Sequence, residues 1–175
     1  MLEAALTTVG VSNERSDSFT QVLRERQAQV LRTAFRVLGN WADAEDVAQE
    51  VFLRLHRHGL RFANEAALGA WIYRVTVNLC IDRSRTARPA AEIREADSGE
   101  ISAETALIRE QQKQCLMSAL AALPIRERTA VVLREIEELS TAEVAAALGT
   151  TEGTVRSQVA KAMAKLRLML GGREI

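Results

Sequence analysis

A chain of 175 residues is long enough for one average domain, or for two small ones with limited cores. Its 47% hydrophobic content supports folding, while 4% aromatic residues, two prolines and abundant Ala, Leu, Arg, Glu and Gln point to an all-α protein. The 23 basic residues balance the 23 acidic ones, which excludes coating of nucleic acid by bulk charge and leaves any such contact to local patches.

Residues 1–17 mix Thr, Gly, Ser and Asn with isolated apolar residues, and the reading is a frayed tail without regular structure. Asp17 or Ser18 then caps a helix to about Leu38, with Phe19, Val22, Val30, Leu31, Ala34, Phe35 and Leu38 as its buried stripe and Gly39 as its end. Asn40 starts a second helix, NWADAEDVAQEVFLRLHRH. Ala44, Val47, Ala48, Val51 and Leu55 mark one face of it, and Asp46, Gln49, Glu50 and Leu53 mark another, acidic with one apolar member. Such a face is ordinarily just solvated. His56 and His58 are two apart and do not share a helical face as a metal pair does.

A short basic and aromatic loop, GLRFAN, precedes a third helix over about Glu65–Arg85. Its segment AWIYRVTVNLCIDRSR is apolar at Trp71, Ile72, Val75, Leu79 and Cys80, with Arg74, Asn78, Asp82, Arg83 and Arg85 between. Amide and basic groups beside aromatics suit single-stranded nucleic acid; the alternative is that Trp71 and Tyr73 are core or boundary residues, and for Trp71, which lies on the apolar stripe, that alternative is favoured. Residues 86–103, with Pro89 and Gly99 as breakers, read as a linker with a reach of about 60 Å extended, or roughly 23 Å as a flexible coil. Ser102 caps a fourth helix with Leu107, Ile108, Cys115, Leu116, Ala119, Leu120 and Leu123 inward. Pro124 occupies the first position of a fifth helix, which continues to about Glu138.

The stretch STAEVAAALGTTEGTVRSQVAKAMAKLRLML then reads as two helices joined by a tight turn. Ser140 and Glu143 form a capping box, Gly149 supplies the left-handed residue that ends the first helix, and Thr150 or Thr151 caps the second. Val155, Val159, Ala162 and Leu166 recur at helical spacing and face inward. Thr154, Arg156, Ser157, Gln158 and Lys161 remain on the outside, where such side chains suit base edges and phosphates. The unit is a helix-turn-helix of the DNA-reading kind, with an ordinary helical hairpin as the plain alternative.

No nucleophile–base set, glycine-rich phosphate loop or metal cluster appears, so neither an enzyme nor a cofactor is expected. Cys80 and Cys115 lack metal-ligand spacing, and a reduced cytosolic protein accounts for them most simply, with a regulatory disulfide as the alternative. No basic segment precedes an apolar run at the N-terminus and no stretch suits a bilayer, so a cytoplasmic location without membrane insertion is expected.

The order DAEDVAQEVFLRL, AWIYRVTVNLCIDRSR, a polar linker, and ALPIRERTAVVLREIEELSTAEVAAALGTTEGTVRSQVAKAMAKLR resembles bacterial RNA polymerase sigma factors of the extracytoplasmic-function type, over about Ser18 to Leu170. The resemblance implies two small helical domains joined by a linker: sigma-2 over 18–85 and sigma-4 over 104–171. It implies that Asp46, Gln49, Glu50 and Leu53 dock on the clamp coiled coil of the largest polymerase core subunit. It makes Asn78 a reader of an extruded minus-ten base, since an amide both donates and accepts, and Arg74, Arg83 and Arg85 holders of phosphates.

For the minus-thirty-five duplex the resemblance implies Thr154, Arg156, Ser157, Gln158 and Lys161 in the major groove. Gln158 stands where the family often carries a basic residue, which puts a phosphate contact there in doubt. The second domain is expected to touch the second-largest core subunit, and an anti-sigma factor to mask both polymerase-binding surfaces. Two rival readings remain at this point. One is a helix-turn-helix regulator that never joins polymerase; the other is a helical interaction or anti-regulatory protein whose motif no longer binds DNA.

Overall fold

The computed structural model describes residues 3–86 and 103–171, so the expected linker with its breakers and the Ser102 cap lie outside the described residues. Among those described, the chain is helical and contains no strand. The first helix, α1, runs Glu3–Leu38, straight through the expected tail and past Asp17 and Ser18, which stand inside it and not at its start. No proline interrupts it, and once a helix is nucleated each further residue adds a hydrogen bond, so Gly10, Ser12 and Asn13 weaken the helix without ending it. Gly39, at φ +74°, ends it with its N–H on the Phe35 carbonyl at 2.7 Å.

Helix α2 is Trp41–His58, and its ends are set locally. Asn40 Oδ1 accepts from the Ala42 N–H at 2.9 Å, and Gly59, at φ +78°, donates to the Leu55 and His56 carbonyls. Helix α3, Glu65–Thr86, starts in the same way, with Asn64 Oδ1 accepting from the Ala67 N–H at 2.8 Å. The second helical set follows: α4 over Ala103–Ala121, α5 over Ile125–Val131, α6 over Thr141–Leu148 and α7 over Glu152–Met169.

Two local expectations are corrected here. Pro124 is the N-cap, with ψ 140°, so the first helical residue is Ile125. The fifth helix does not continue as α to Glu138 but widens into a π-helical segment, Val132–Ile136, in which the Glu137 N–H reaches the Val132 carbonyl at 3.0 Å.

The core unites the two sets. Val30, Ala34 and Val37 of α1, Val51 and Leu55 of α2 and Ile72 of α3 pack into a cluster that continues into Leu120, Leu123, Val131, Val132, Ala162 and Leu166. A second cluster joins Val77 of α3 to Leu133, Leu139, Val144 and Val155. The two helical sets expected from the sequence are present and pack against each other. The reason is visible in α3, which is buried on two sides: Ile72 and Cys80 face α1 and α2, while Val77, with no exposed surface, faces the second set. Full burial of one valine side chain contributes about 1.5–3 kcal/mol, more than a three-helix set of this size readily forgoes.

Cys80 is fully buried, and burial alone pushes its thiol up to about 12. Cys115, expected on an inward stripe, is exposed instead, because α4 packs through Leu116, Ala119 and Leu120. No helix among the described residues is long and apolar enough to cross a membrane.

Candidate functional site

Three outward surfaces carry the candidate residues, and each is positioned by the core behind it. On α2 the buried stripe of Ala44, Val47, Val51 and Leu55 turns Asp46, Gln49, Glu50 and Leu53 outward. Leu53 keeps 45% of its surface exposed and gives the face an apolar point of contact. Glu50 pairs with Arg54 at 2.7 Å, an exposed pair one helical turn apart that a partner displaces at little expense. Asp46 is not free: its carboxylate meets Arg83 of α3 at 2.5 Å.

Beside this face lies a groove of about 540 Å³ between α1 and α2, which pattern reading missed because it exists only where two helices meet. Phe19, Leu23, Leu31 and Phe52 line it, and Gln49 and Leu53 belong to both the groove and the outward face. The acidic face and an apolar trough thus form one continuous surface.

The second surface is on α3. Arg74, Asn78, Asp82 and Arg85 follow one another at three- and four-residue spacing along one exposed side. Arg74 and Asn78 are open to solvent, and Arg85 lies 3.5 Å from Asp82 in a weak exposed pair. Arg83 departs from expectation. It points to α2, where its Nε donates to Asp43 at 2.6 Å and its Nη2 reaches Asp46, and the hydrogen bond to Asp43 leads the interactions that raise its pKa. Arg83 therefore braces α3 against α2, and a phosphate has to compete with two carboxylates for it.

The aromatics near α3 are engaged with one another. His58 stacks on Phe62 with ring centroids 4.7 Å apart, and Trp71 packs against both at 5.5 and 5.7 Å, so Trp71 is a boundary residue within the fold. Tyr73 is half-buried, and its hydroxyl donates to Glu137 at 3.1 Å. Burial, and next the Glu137 charge, raise its pKa, which keeps the phenol neutral.

The third surface is the helix-turn-helix. Ser140 Oγ accepts from the Glu143 N–H at 3.2 Å while Glu143 Oε2 accepts from the Ser140 N–H at 2.8 Å, the reciprocal box read from the sequence. Gly149 is left-handed at φ 60°, and Thr151 caps α7 through the Thr154 N–H at 3.2 Å. Val155, Ala162 and Leu166 are buried, and Val159 is partly so.

Arg156, Ser157 and Lys161 stand exposed on the outer side of α7. Arg156 pairs with Glu152 at 3.3 Å, one turn back on the same helix. Thr154 is exposed like them, whereas Gln158 is only partly so. The Thr154 hydroxyl lies 2.9 Å from the Thr151 hydroxyl and shares in the cap, while Gln158 is only partly exposed, with its Oε1 buried and unpaired. Gln158 therefore leans toward the protein, on the flank of the exposed row.

These surfaces coincide with two recognised sequence families. Residues 22–89 match sigma-70 region 2 and residues 113–166 match sigma-70 region 4. Among curated relatives, the ECF RNA polymerase sigma factor SigM of Mycobacterium tuberculosis H37Rv is 33% identical over 97% of this chain and 85% of its own. SigW of Bacillus subtilis, also an ECF RNA polymerase sigma factor, is 28% identical over 88% of this chain and 89% of its own. The fold is shared with the sigma factor RpoE of Bartonella quintana in its co-crystal with the anti-sigma factor NepR. That match has a TM-score of 0.73 at 21% identity, covering 90% of this chain and 99% of that one. It is also shared with CnrH bound to the cytosolic domain of CnrY, with a TM-score of 0.66 at 24% identity over 91% of each chain.

Proposed function

This chain belongs to the RNA polymerase sigma factors of the extracytoplasmic-function type, and from that membership we propose that it joins polymerase core in the cytoplasm and directs initiation at specific promoters. Residues 18–85 serve as the sigma-2 unit, with Gln49, Glu50, Leu53 and Asp46 docking on the largest core subunit. Asn78 reads an extruded minus-ten base while Arg74 and Arg85 hold flanking phosphates on the same side of α3. Residues 104–171 serve as the sigma-4 unit, with Arg156, Ser157 and Lys161 entering the major groove of the minus-thirty-five duplex. Thr154 acts by capping the recognition helix, Gln158 borders the contact, and Arg83 joins only after leaving its carboxylates.

The observation that carries this reading is the pairing of a geometrically complete helix-turn-helix with a separate, partly apolar acidic face on α2 in one chain. A regulator acting alone has use for the first and none for the second. The apolar groove beside Leu53 continues that face, and an anti-sigma factor that masks it also masks the core contact. The protein supplies binding energy for promoter opening, and catalysis stays with the polymerase. A salt series of promoter binding, with and without purified core, tests the assignment. A sigma factor binds promoter DNA tightly only with core present, and the affinity falls steeply as salt rises. Equal affinity without core indicates a free-standing regulator.

A further inference from the structure

Among the described residues, two side chains bury a polar atom that has no hydrogen-bond partner: Arg128 at Nε and Gln158 at Oε1. The other donors of Arg128 cap helix ends, which accounts for its place in the fold. Gln158 stands in the middle of α7, away from any end of its own helix. A buried amide oxygen without a donor has given up its hydration with no bond in return, and folded proteins rarely keep one where an apolar side chain of the same length fits.

Helix α7 turns Val155, Ala162 and Leu166 into the core and leaves Arg156, Ser157, Ala160 and Lys161 exposed on the other side. At about 100° per residue, Gln158 lies about 60° round the helix from Lys161 and about 40° from Thr154, at the edge of the exposed row. It is partly exposed, with its amide oxygen turned inward. Rotation about its side-chain bonds to another staggered rotamer carries the amide from that edge to the groove-facing side without moving the backbone.

An amide holds an acceptor and a donor side by side. On the major-groove edge of duplex DNA adenine presents the matching pair, the N6 amino donor beside the N7 acceptor, whereas guanine offers two acceptors, which suit the all-donor guanidinium of Arg156. Resting on the sigma-factor reading, we propose that Gln158 selects adenine at one position of the minus-thirty-five duplex, its amide swinging outward to take both atoms of that base edge. The buried oxygen gives the choice its force. Opposite adenine, Oε1 gains the donor that it lacks in the free protein; opposite guanine it meets an acceptor; without a match it returns to an unpaired burial. An exposed side chain such as Ser157 rests in water and has no such penalty to relieve, so it discriminates less.

The test has two readouts. Gln158→Met keeps the length and the helix propensity of the side chain and removes the amide. The free variant melts about 2–6 °C above the parent, and a variant that melts lower overturns the unpaired burial on which the choice rests. Holoenzyme assembled from purified core polymerase and either protein then selects from a duplex pool randomised at the minus-thirty-five element. The parent retains adenine at one fixed position. Replacing that adenine by purine, which lacks the N6 amino group, or by 7-deazaadenine, which lacks N7, weakens binding of the parent holoenzyme about 5- to 150-fold and that of the Gln158→Met holoenzyme by no more than about twofold. Selection of a defined element to which both proteins respond alike overturns the Gln158 assignment alone. A parent holoenzyme that selects no sequence at that element overturns the sigma-factor reading on which the assignment rests.

Discussion

Replacing Arg128 by Met probes the joint on which the packed body turns. Arg128 of α5 donates through Nη1 to the Val37 carbonyl at 2.7 Å, and through Nη2 to the carbonyls of Leu123, at 3.0 Å, and Ala121. These carbonyls belong to the ends of α1 and α4, where helices leave acceptors without partners and present the negative end of their dipoles. One guanidinium thus caps two helices from different halves of the chain. Each hydrogen bond from a charged donor contributes about 1.5–3 kcal/mol, so the gross loss is about 5–9 kcal/mol. Against that stands the burial of the cation, which lowers its pKa and leaves its Nε without a partner. Removing a buried charge returns several kcal/mol, so the net destabilisation is about 2–4 kcal/mol. Met preserves the apolar stem and so isolates the polar loss. Urea denaturation followed by circular dichroism reads it as a midpoint lowered by about 1–2 M, for a slope near 2 kcal/mol per molar. A midpoint within 0.2 M of the parent, at unchanged slope, refutes the capping argument.

Three further outcomes are expected. Arg156→Ala costs about 1–3 kcal/mol of binding to the minus-thirty-five duplex and leaves core affinity unchanged, measured by fluorescence anisotropy of labelled duplex with holoenzyme; a loss of core binding means that the interface lies elsewhere. Asn78→Ala lowers discrimination among minus-ten variants in permanganate footprinting of opened promoters, and identical opening across those variants removes Asn78 from the readers. Glu143 carries a pKa lowered from 4.5, first by the hydrogen bond from the Ser140 hydroxyl and then by the backbone bond to the same residue. A depressed carboxylate stabilises the fold above its unfolded value and loses that contribution as pH falls through its folded value. Glu143→Gln is therefore less stable than the parent at pH 7, and the gap narrows below about pH 4.5 in thermal melts; a gap constant to pH 3 contradicts the box.

What was legible in the sequence is what the chain decides within a turn or two. Asn40, Ser140 with Glu143, Gly149 and Thr151 act on groups two to four residues away, so spacing alone placed them. The outward face of α2 followed equally from the period of its buried stripe. What escaped were partnerships between distant segments: Arg83 with Asp43 and Asp46, Glu137 with Thr33 and Tyr73, and Arg128 with Val37. Val77 shows why. A second buried side on α3 leaves little polar face to set a helical period, so its burial against Val144 is invisible until the other half of the chain is in place. The cap that engages the Thr154 hydroxyl and the burial of the Gln158 amide oxygen escaped as well, because helical spacing gives a side chain's direction but not its partners.

The central claim, that this chain confers promoter specificity on polymerase, is tested most directly by run-off transcription with purified bacterial core polymerase and a pool of promoters, with and without the protein. The account predicts discrete transcripts that appear only with the protein, start at a defined distance from a shared pair of elements, and disappear when Leu53→Glu breaks the α2 face. Transcripts independent of the protein, or core binding that never yields a start, contradict it.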